Sequence, residues 1–187
     1  MYWLSEFIEV GKALYDQGLN HASSGNLSVR KGDDLYITAT GRRLGDLTFD
    51  DILRVNLNDA RKDKGASVEV GVHRAILRNT KHLAVVHAHP IWCTALSLIK
   101  DSIVPQDAEG FFYMPSIPVL DLRERIGSEE MAEKVPGYLI QYPVVVVKGH
   151  GSFAAAADLR TAEKYTAVLE KSCQIMMLAA ISKGFLA

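Results

Sequence analysis

Hydrophobic and polar positions along the chain follow two periods, one typical of helices and one typical of strands. Apolar residues recur at helical spacing over 5–17, over about 69–79 and after Pro90, and each set predicts an amphipathic helix. Two short β-prone runs, 27–30 and 35–40, are joined by a polar turn and predict a hairpin. Because helices and strands are interleaved, the pattern favours a layered α/β domain with helices packed on a sheet.

The rest of the chain continues this interleaved pattern. Further strand-like runs lie at 52–57, 83–89, 117–120 and 144–148. The last of them contains four consecutive valines, which predict a strand that is buried on both faces. Ser128 predicts the start of a helix that ends near Val135, and Asp158 the start of a long helix that ends before Gly184. Residues 101–116 fit neither period, so no element is predicted there.

Composition and charge narrow the class of protein. The chain has 187 residues, which predicts a single domain over 1–187 with room for a substantial core. The formal net charge is −1, so there is no global basic field, and we expect neither nucleic acid nor a membrane surface as a partner. The apolar runs are far shorter than the roughly 18 residues of a membrane span. Two cysteines, Cys93 and Cys173, give no disulfide framework, which favours a cytoplasmic location.

Histidines supply the first candidate chemistry. His87 and His89 lie two residues apart on a predicted strand, so both side chains point to one face, close enough for one small ion. The alternative is a pair of polar residues on the wet face of a strand. Neighbouring valines argue that the strand is buried on both sides, where solvated histidines would be costly. His150 lies between two glycines after the valine strand, where it is either a ligand or a turn residue.

Glu69 supplies a carboxylate near this cluster. It lies at the start of a predicted helix, four residues before His73 on the same helix face. The alternative to a functional role is therefore an i, i+4 interaction between these two side chains on the protein surface. Three imidazoles and one carboxylate complete the tetrahedral coordination of Zn²⁺, and other divalent transition metals fit the same donors. Such a metal would act as a Lewis acid on a carbonyl group. His21 and His82 have no patterned context and are interpreted as surface residues.

Small residues form a second constellation. Short turns at 23–26, 40–41 and 66–67 offer backbone N–H groups together with hydroxyl or amide side chains. Such elements suit a phosphate group, especially at a helix N-terminus as with Ser67. Ordinary turns use the same residue types, so each element alone is weak evidence.

Taken in order, these motifs resemble the class II aldolase/adducin family. They are GLNHASSGNLSVR at 18–30, ITATG at 37–41, Ser-x-Glu at 67–69, HAHP at 87–90 and KGHG at 148–151. The resemblance covers about 5–178. It implies an α-β-α fold, with a central, largely antiparallel sheet covered by helices on both faces. It also implies a homotetramer with active sites at subunit interfaces.

The resemblance also implies residue roles. His87, His89, His150 and Glu69 match the zinc ligands, and Glu69 is expected to act as a base as well. Gly25, Asn26, Thr40, Gly41 and Ser67 match the phosphate-binding positions. The implied activity is cleavage of a short ketose 1-phosphate, like L-fuculose 1-phosphate, to dihydroxyacetone phosphate and an aldehyde through a zinc-stabilised enediolate. Alternatives are a sugar-phosphate 4-epimerase, a methylthioribulose-1-phosphate dehydratase or a non-catalytic adducin-like module.

The chain departs from the family pattern in two informative places. Val68 lies between Ser67 and Glu69, where the aldolases often carry a second serine, so one phosphate hydroxyl is missing. The stretch that would carry the catalytic acid contains three candidate types. We favour Glu109, followed by Asp107 and Tyr113, and the alternative is that this stretch is an interface loop. Lys148 is interpreted as a charge at a strand end rather than a Schiff-base lysine.

Overall fold

Eight strands form one sheet in the part of the chain that this computed structural model describes, residues 2–60 and 63–186. Residues 1, 61, 62 and 187 of the expected domain lie outside the described residues. The strands are β1 (Asn26–Lys31), β2 (Asp34–Thr38), β3 (Ile52–Asn56), β4 (Ala84–Ala88), β5 (Ser102–Ile103), β6 (Ile117–Leu120), β7 (Val144–Val147) and β8 (Gly151–Ala156). Their order across the sheet is β3-β2-β1-β4-β8-β7-β6-β5, and only β6 and β7 pair in parallel.

Helices cover both faces of this sheet. They are α1 (Tyr2–Asp16), α2 (Val70–Asn79), α3 (Ile91–Ser97), α4 (Ala108–Tyr113), α5 (Glu129–Leu139) and α6 (Leu159–Leu186). Buried side chains of α1, α3 and α6 form one core with the sheet, and those of α2 and α5 form a second core on the opposite face. The predicted α-β-α layering with a largely antiparallel sheet is therefore confirmed. Over the described residues, no helix is both long and apolar enough to cross a membrane.

Strand β4 lies at the centre of the sheet, between β1 and β8. Val86 packs into the core under α1 and α6, whereas Val85 packs on the α2 side. His87 has the parity of Val85, so its ring lies on the α2 side, only 1% exposed. The alternative of a wet strand face is therefore wrong for His87.

Strand β8 is the element that the hydrophobic pattern missed. Its sequence, GSFAAA, has no period, and alanine and glycine are poor strand formers, so nothing in the local sequence predicts a strand there. Pairing with β4 on one side and β7 on the other determines its conformation. The unassigned stretch 101–116 contains two short elements, β5 and α4.

Two helices run past their predicted ends. Helix α5 continues beyond Val135 to Leu139 with Pro136 inside it, and α6 continues through Gly184 to Leu186. The expected stop at Gly184 is therefore wrong. A single glycine disfavours a helix by only about 1 kcal/mol relative to alanine, so it cannot end a long helix by itself. The predicted caps at Ser128 and Asp158 are both present, because each side chain accepts a backbone hydrogen bond three residues on.

Candidate active site

Four potential metal ligands meet at one end of the central strands. His87 lies in β4, His89 follows that strand, His150 lies in the turn between β7 and β8, and Glu69 directly precedes α2. Ligand atoms of the three histidines all lie within 4.8 Å of one another. The Oε2 atom of Glu69 lies 3.0 Å from Nε2 of His87, and its Oε1 lies 3.8 Å from Nε2 of His150. The fold thus assembles the predicted constellation from three separate parts of the chain.

The hydrogen bonds of His87 fit a metal ligand. Its Nδ1 lies 2.9 Å from the carbonyl oxygen of Ser152, and because a carbonyl only accepts, Nδ1 must carry a proton and donate it. Its Nε2 then faces the Glu69 carboxylate and lies 2.9 Å from Nε2 of His89. A proton on Nε2 of His89 would make this contact a hydrogen bond, and in its place a metal ion would bind the lone pairs of both nitrogens.

The electrostatic environment gives the candidate ligands the protonation states that metal binding requires. Burial, with the neighbouring imidazoles, lowers the pKa of His89 to about 3 and that of His150 to about 4. Burial by itself would raise the pKa of Glu69, but the adjacent His87 and His150 outweigh it and hold that pKa at about 2. At neutral pH, His89 and His150 are therefore neutral donors and Glu69 is an anion.

Glu69 occupies the N-cap position of α2 without capping that helix through its side chain. We expected Ser67 to be the cap, and its Oγ instead accepts a bond of 3.3 Å from the Glu69 backbone N–H. The Glu69 carboxylate accepts from Asn26 Nδ2 at 3.5 Å and from the Gly127 backbone at 3.3 Å. Both distances are long for hydrogen bonds, so these contacts hold the carboxylate loosely.

His73 lies in α2, one turn after Glu69. Glu69 is 2% exposed and His73 is fully buried, so the alternative of a surface pair is wrong. The Nδ1 atom of His73 lies 2.6 Å from the hydroxyl of Ser28, and its ring contacts the edge of Phe153. Burial lowers the pKa of His73 to about 3, so the ring is neutral in the folded protein.

The predicted phosphate positions line the same pocket as the metal ligands. These residues are Gly25, Asn26, Thr40, Gly41 and Ser67. Gly25 and Gly41 have φ angles of +76° and +73°, which favour glycine. A Cβ atom at Gly25 would also lie 2.5 Å from the side-chain amide of Asn20. The turns thus present backbone and small polar groups to a ligand that also reaches the histidines.

Two residues of the pocket wall, Arg42 and Ile126, were not predicted from the sequence. Arg42 directly follows the Thr40-Gly41 turn, and a cation beside a glycine turn is the signal that would have indicated it. A third residue, Asn20, supports the wall from behind, because its Oδ1 accepts from the His89 backbone N–H at 3.0 Å. Asn20 belongs to the 18–30 motif, but the motif does not indicate this contact, which joins that loop to the residue after β4, 69 positions away.

The three candidate acids do not line this pocket. Asp107 is the N-cap of α4 and accepts a bond of 2.8 Å from the Gly110 backbone. Tyr113 packs against Tyr165, with the Lys164 ammonium 4.3 Å from its ring centre. Glu109 is exposed on the surface of α4. Within one chain, the fold therefore separates the candidate acids from the histidine cluster.

Lys148 is tied to acidic groups rather than directed at a substrate. Its ammonium lies 3.4 Å from Asp101 and 3.3 Å from Asp121, and these carboxylates raise its pKa. A Schiff-base lysine needs the opposite shift, so the interpretation as a strand-end charge is confirmed.

Comparisons with known proteins agree with this geometry. Residues 5–177 match the family model described as class II aldolase and adducin N-terminal domain. An L-fuculose phosphate aldolase of Methanococcus maripaludis is 35% identical over 174 residues, which cover 92% of this chain and 94% of that protein. The crystal structure of L-fuculose-1-phosphate aldolase from Thermus thermophilus superposes with a TM-score of 0.95 at 36% identity, covering 98% of this chain and 97% of that one. A 3-oxo-tetronate 4-phosphate decarboxylase of Pectobacterium atrosepticum is 28% identical over 183 residues, covering 93% and 83%.

Proposed function

This chain belongs to the class II aldolase and adducin family, and from that premise we propose that it is a zinc-dependent aldolase of a single domain. Its substrate is a short ketose 1-phosphate of the L-fuculose 1-phosphate type, and its products are dihydroxyacetone phosphate and an aldehyde. The observation that carries the proposal is the buried cluster of three histidines and Glu69, in one pocket with the small-residue turns. Relatives named for aldol cleavage match over almost their whole length.

A divalent metal fits the donor set of this pocket. His87, His89, His150 and Glu69 would hold it, and the Nδ1 proton of His87 is already committed to Ser152. Nitrogen and carboxylate donors without a thiolate favour zinc among the common metals. When bound, the metal supplies positive charge that stabilises the negative charge developing on the substrate oxygens.

Glu69 is the residue that would transfer a proton to and from the substrate. In the cleavage direction, the C4 hydroxyl gives its proton to the conjugate base of the acid described below, the C3–C4 bond breaks, and the bonding electron pair stays on the three-carbon fragment as an enediolate. Glu69 then gives a proton to C3, which yields dihydroxyacetone phosphate, and in the reverse direction it accepts that proton. Glu69 is an anion at neutral pH, so it can accept a proton only when it moves away from the imidazoles that lower its pKa. Its long contacts to Asn26 and Gly127 oppose that movement only weakly.

The phosphate group would be held by the five turn residues of the pocket wall. Backbone N–H groups at Gly25 and Gly41 and the Ser67 hydroxyl are the kind of neutral donors that bind phosphate. The names of both an aldolase relative and a decarboxylase relative specify a phosphorylated substrate. A phosphate ester is therefore the feature of the substrate with the widest support.

The acid that completes the reaction would come from a neighbouring subunit. We place this role on Glu109 ahead of Asp107, which caps α4, and Tyr113, which packs against α6. Phe111 and Phe112 beside Glu109 are 57% and 77% exposed, which supports an interface at α4. We propose a homotetramer and, because both cysteines are free and buried, a cytoplasmic location.

A direct assay tests the activity. Purified protein loaded with zinc is given L-fuculose 1-phosphate, and dihydroxyacetone phosphate is measured by coupled reduction with NADH. We expect release by the wild type and a loss of roughly a hundredfold or more in Glu69→Gln, which removes the proton-transferring carboxylate. No release from a protein that binds stoichiometric zinc would reject the aldolase. Absence of any bound metal would instead support the adducin-like module.

A further inference from the structure

We propose that Arg42, held in place by Asp51, is the cationic anchor for the phosphate group of the substrate. The inference rests on the proposed function, because it deepens the binding site for a phosphate ester. It adds a charged residue to a subsite whose predicted members, Gly25, Asn26, Thr40, Gly41 and Ser67, are all neutral.

The charges of the pocket call for such a cation. Apart from the histidines, the described residues that line the pocket include two charged side chains, Glu69 and Arg42. The predicted members of the phosphate subsite carry no charge, and a phosphate dianion is stabilised by a positive group that faces it. Among the non-histidine residues of the wall, Arg42 carries that charge.

Asp51 orients the Arg42 side chain. The Nε atom of Arg42 lies 2.9 Å from Oδ1 of Asp51. Asp51 is itself buried and fixed, because its other oxygen accepts bonds of 2.9 Å and 2.8 Å from the backbone N–H and the hydroxyl of Thr48. The Arg42 side chain stays 59% exposed, and no partner for its terminal amino groups is found among the described residues. These two groups form the planar fork that binds phosphate oxygens in pairs.

The neighbouring arginine shows that this placement is specific. Arg43 pairs with Asp46 at 3.4 Å and lies over the ring of Tyr15, with its guanidinium carbon 5.2 Å from the ring centre. Arg43 is absent from the lining of the pocket, whereas Arg42 belongs to it. Gly41, at a φ of +73°, turns the chain between strand β2 and the two arginines.

Val68 explains why the subsite needs a further donor. Val68 lines the pocket and is 66% exposed, and it lies between Ser67 and Glu69 at a position without a hydroxyl. The wall near Ser67 is therefore short of one hydrogen-bond donor. The guanidinium of Arg42 offers donors with a full positive charge, and charge-assisted bonds are about twice as strong as neutral ones.

The test compares Arg42→Gln with Arg43→Gln, since both variants lose one positive charge at adjacent positions. Binding of inorganic phosphate and of dihydroxyacetone phosphate is measured by calorimetry on chelator-treated protein, so the result does not depend on the metal. We expect roughly tenfold weaker binding in Arg42→Gln, the loss of one charge-assisted pair, and unchanged binding in Arg43→Gln. Arg42→Lys keeps the charge and should recover part of the affinity.

A kinetic arm separates anchoring from folding. With zinc bound, Arg42→Gln should raise KM for dihydroxyacetone phosphate in the condensation direction without an equal loss of kcat, whereas Arg43→Gln should leave both values unchanged. Equal phosphate affinity in the wild type and Arg42→Gln, or equal losses in Arg42→Gln and Arg43→Gln, would overturn the inference while leaving the aldolase intact. If phosphate binding depends on Arg42 but no ketose phosphate is cleaved, the anchor stands and the proposed activity fails.

Discussion

At the scale of single residues, His87 is held in an orientation that suits a metal ligand. The ring is stacked on Phe153, with centroids 4.2 Å apart and planes 15° apart, so it cannot rotate freely. The Ser152 carbonyl holds the proton on Nδ1 and thereby turns the lone pair of Nε2 toward the pocket. A carbonyl partner of this kind fixes the tautomer and raises the basicity of a metal-binding imidazole.

The orientation of His87 predicts how substitutions in the cluster change the zinc content of the protein. We expect His87→Ala and His150→Ala each to lower zinc occupancy by more than roughly tenfold. The loss of an outer hydrogen-bond partner of a ligand already reduces metal affinity about that much, and here the ligand itself is removed. His82→Ala is the matched control, because His82 is bonded to the Leu139 carbonyl and is not part of the cluster. Zinc is measured by mass spectrometry after dialysis at defined free zinc. Full occupancy in both ligand variants would contradict the assignment.

His73 predicts how the stability of the metal-free protein depends on pH. Its folded pKa is about 3 against 6.5 when unfolded, so between these values the unfolded chain binds more protons. This contribution to stability is complete above pH 6.5 and is lost as the pH falls toward 3, at up to about 1.4 kcal/mol per pH unit for one proton.

His73→Gln removes this titration and keeps a hydrogen-bonding group for the Ser28 hydroxyl. The free energy of unfolding in urea, measured with chelator present between pH 6.5 and 4, should therefore vary less steeply with pH in the variant. Parallel curves for the two proteins would show that His73 is not the titrating group.

At the scale of elements, the sequence predicted those that have a period or a cap and missed those that depend on neighbours. The amphipathic spacing around Val72 and Ile76 and the valine run of β7 fix α2 and β7 locally. β8 has neither signal, and its register exists only because β4 and β7 flank it. The site follows the same rule: the histidines stood out as motifs, whereas the contact of Asn20 with the His89 backbone depends on the tertiary fold.

The close approach of β8 to β4 predicts the effect of one added methyl group. A Cβ at Gly151 would lie 2.3 Å from the Ala88 carbonyl oxygen and 3.3 Å from Cδ2 of His89. Gly151→Ala must therefore push the strands apart, which costs roughly 1–3 kcal/mol as overpacking does. It should also displace His89 and reduce zinc affinity.

A second glycine provides the control for this prediction. Nothing lies within 4 Å of a Cβ at Gly137, which is inside α5, so Gly137→Ala should stabilise the protein by up to about 1 kcal/mol through helix propensity. Urea midpoints and zinc occupancy are compared for both variants. A neutral Gly151→Ala would mean that the two strands can separate without cost.

At the scale of the whole molecule, the chain places its candidate metal ligands and its candidate acid in different regions. The histidine cluster lies where β4, β7 and β8 meet α2, whereas Glu109 lies on α4, which packs against α6. Two exposed phenylalanines, Phe111 and Phe112, follow Glu109 in α4, and an apolar surface next to a carboxylate suits contact with a second subunit. In a cyclic oligomer, one subunit's α4 would then complete the neighbour's pocket.

Mixed oligomers test this arrangement directly. Glu69→Gln and Glu109→Gln should each be nearly inactive alone, since one lacks the proton-transferring carboxylate and the other the acid. If each site takes Glu69 from one subunit and Glu109 from its neighbour, equal mixing and reassembly should restore roughly one quarter of the wild-type sites, because each site independently draws both residues. Aldol cleavage is measured before and after reassembly, with each variant mixed with itself as the control. A site built within one chain would recover no activity, because every chain in the mixture carries one of the two substitutions.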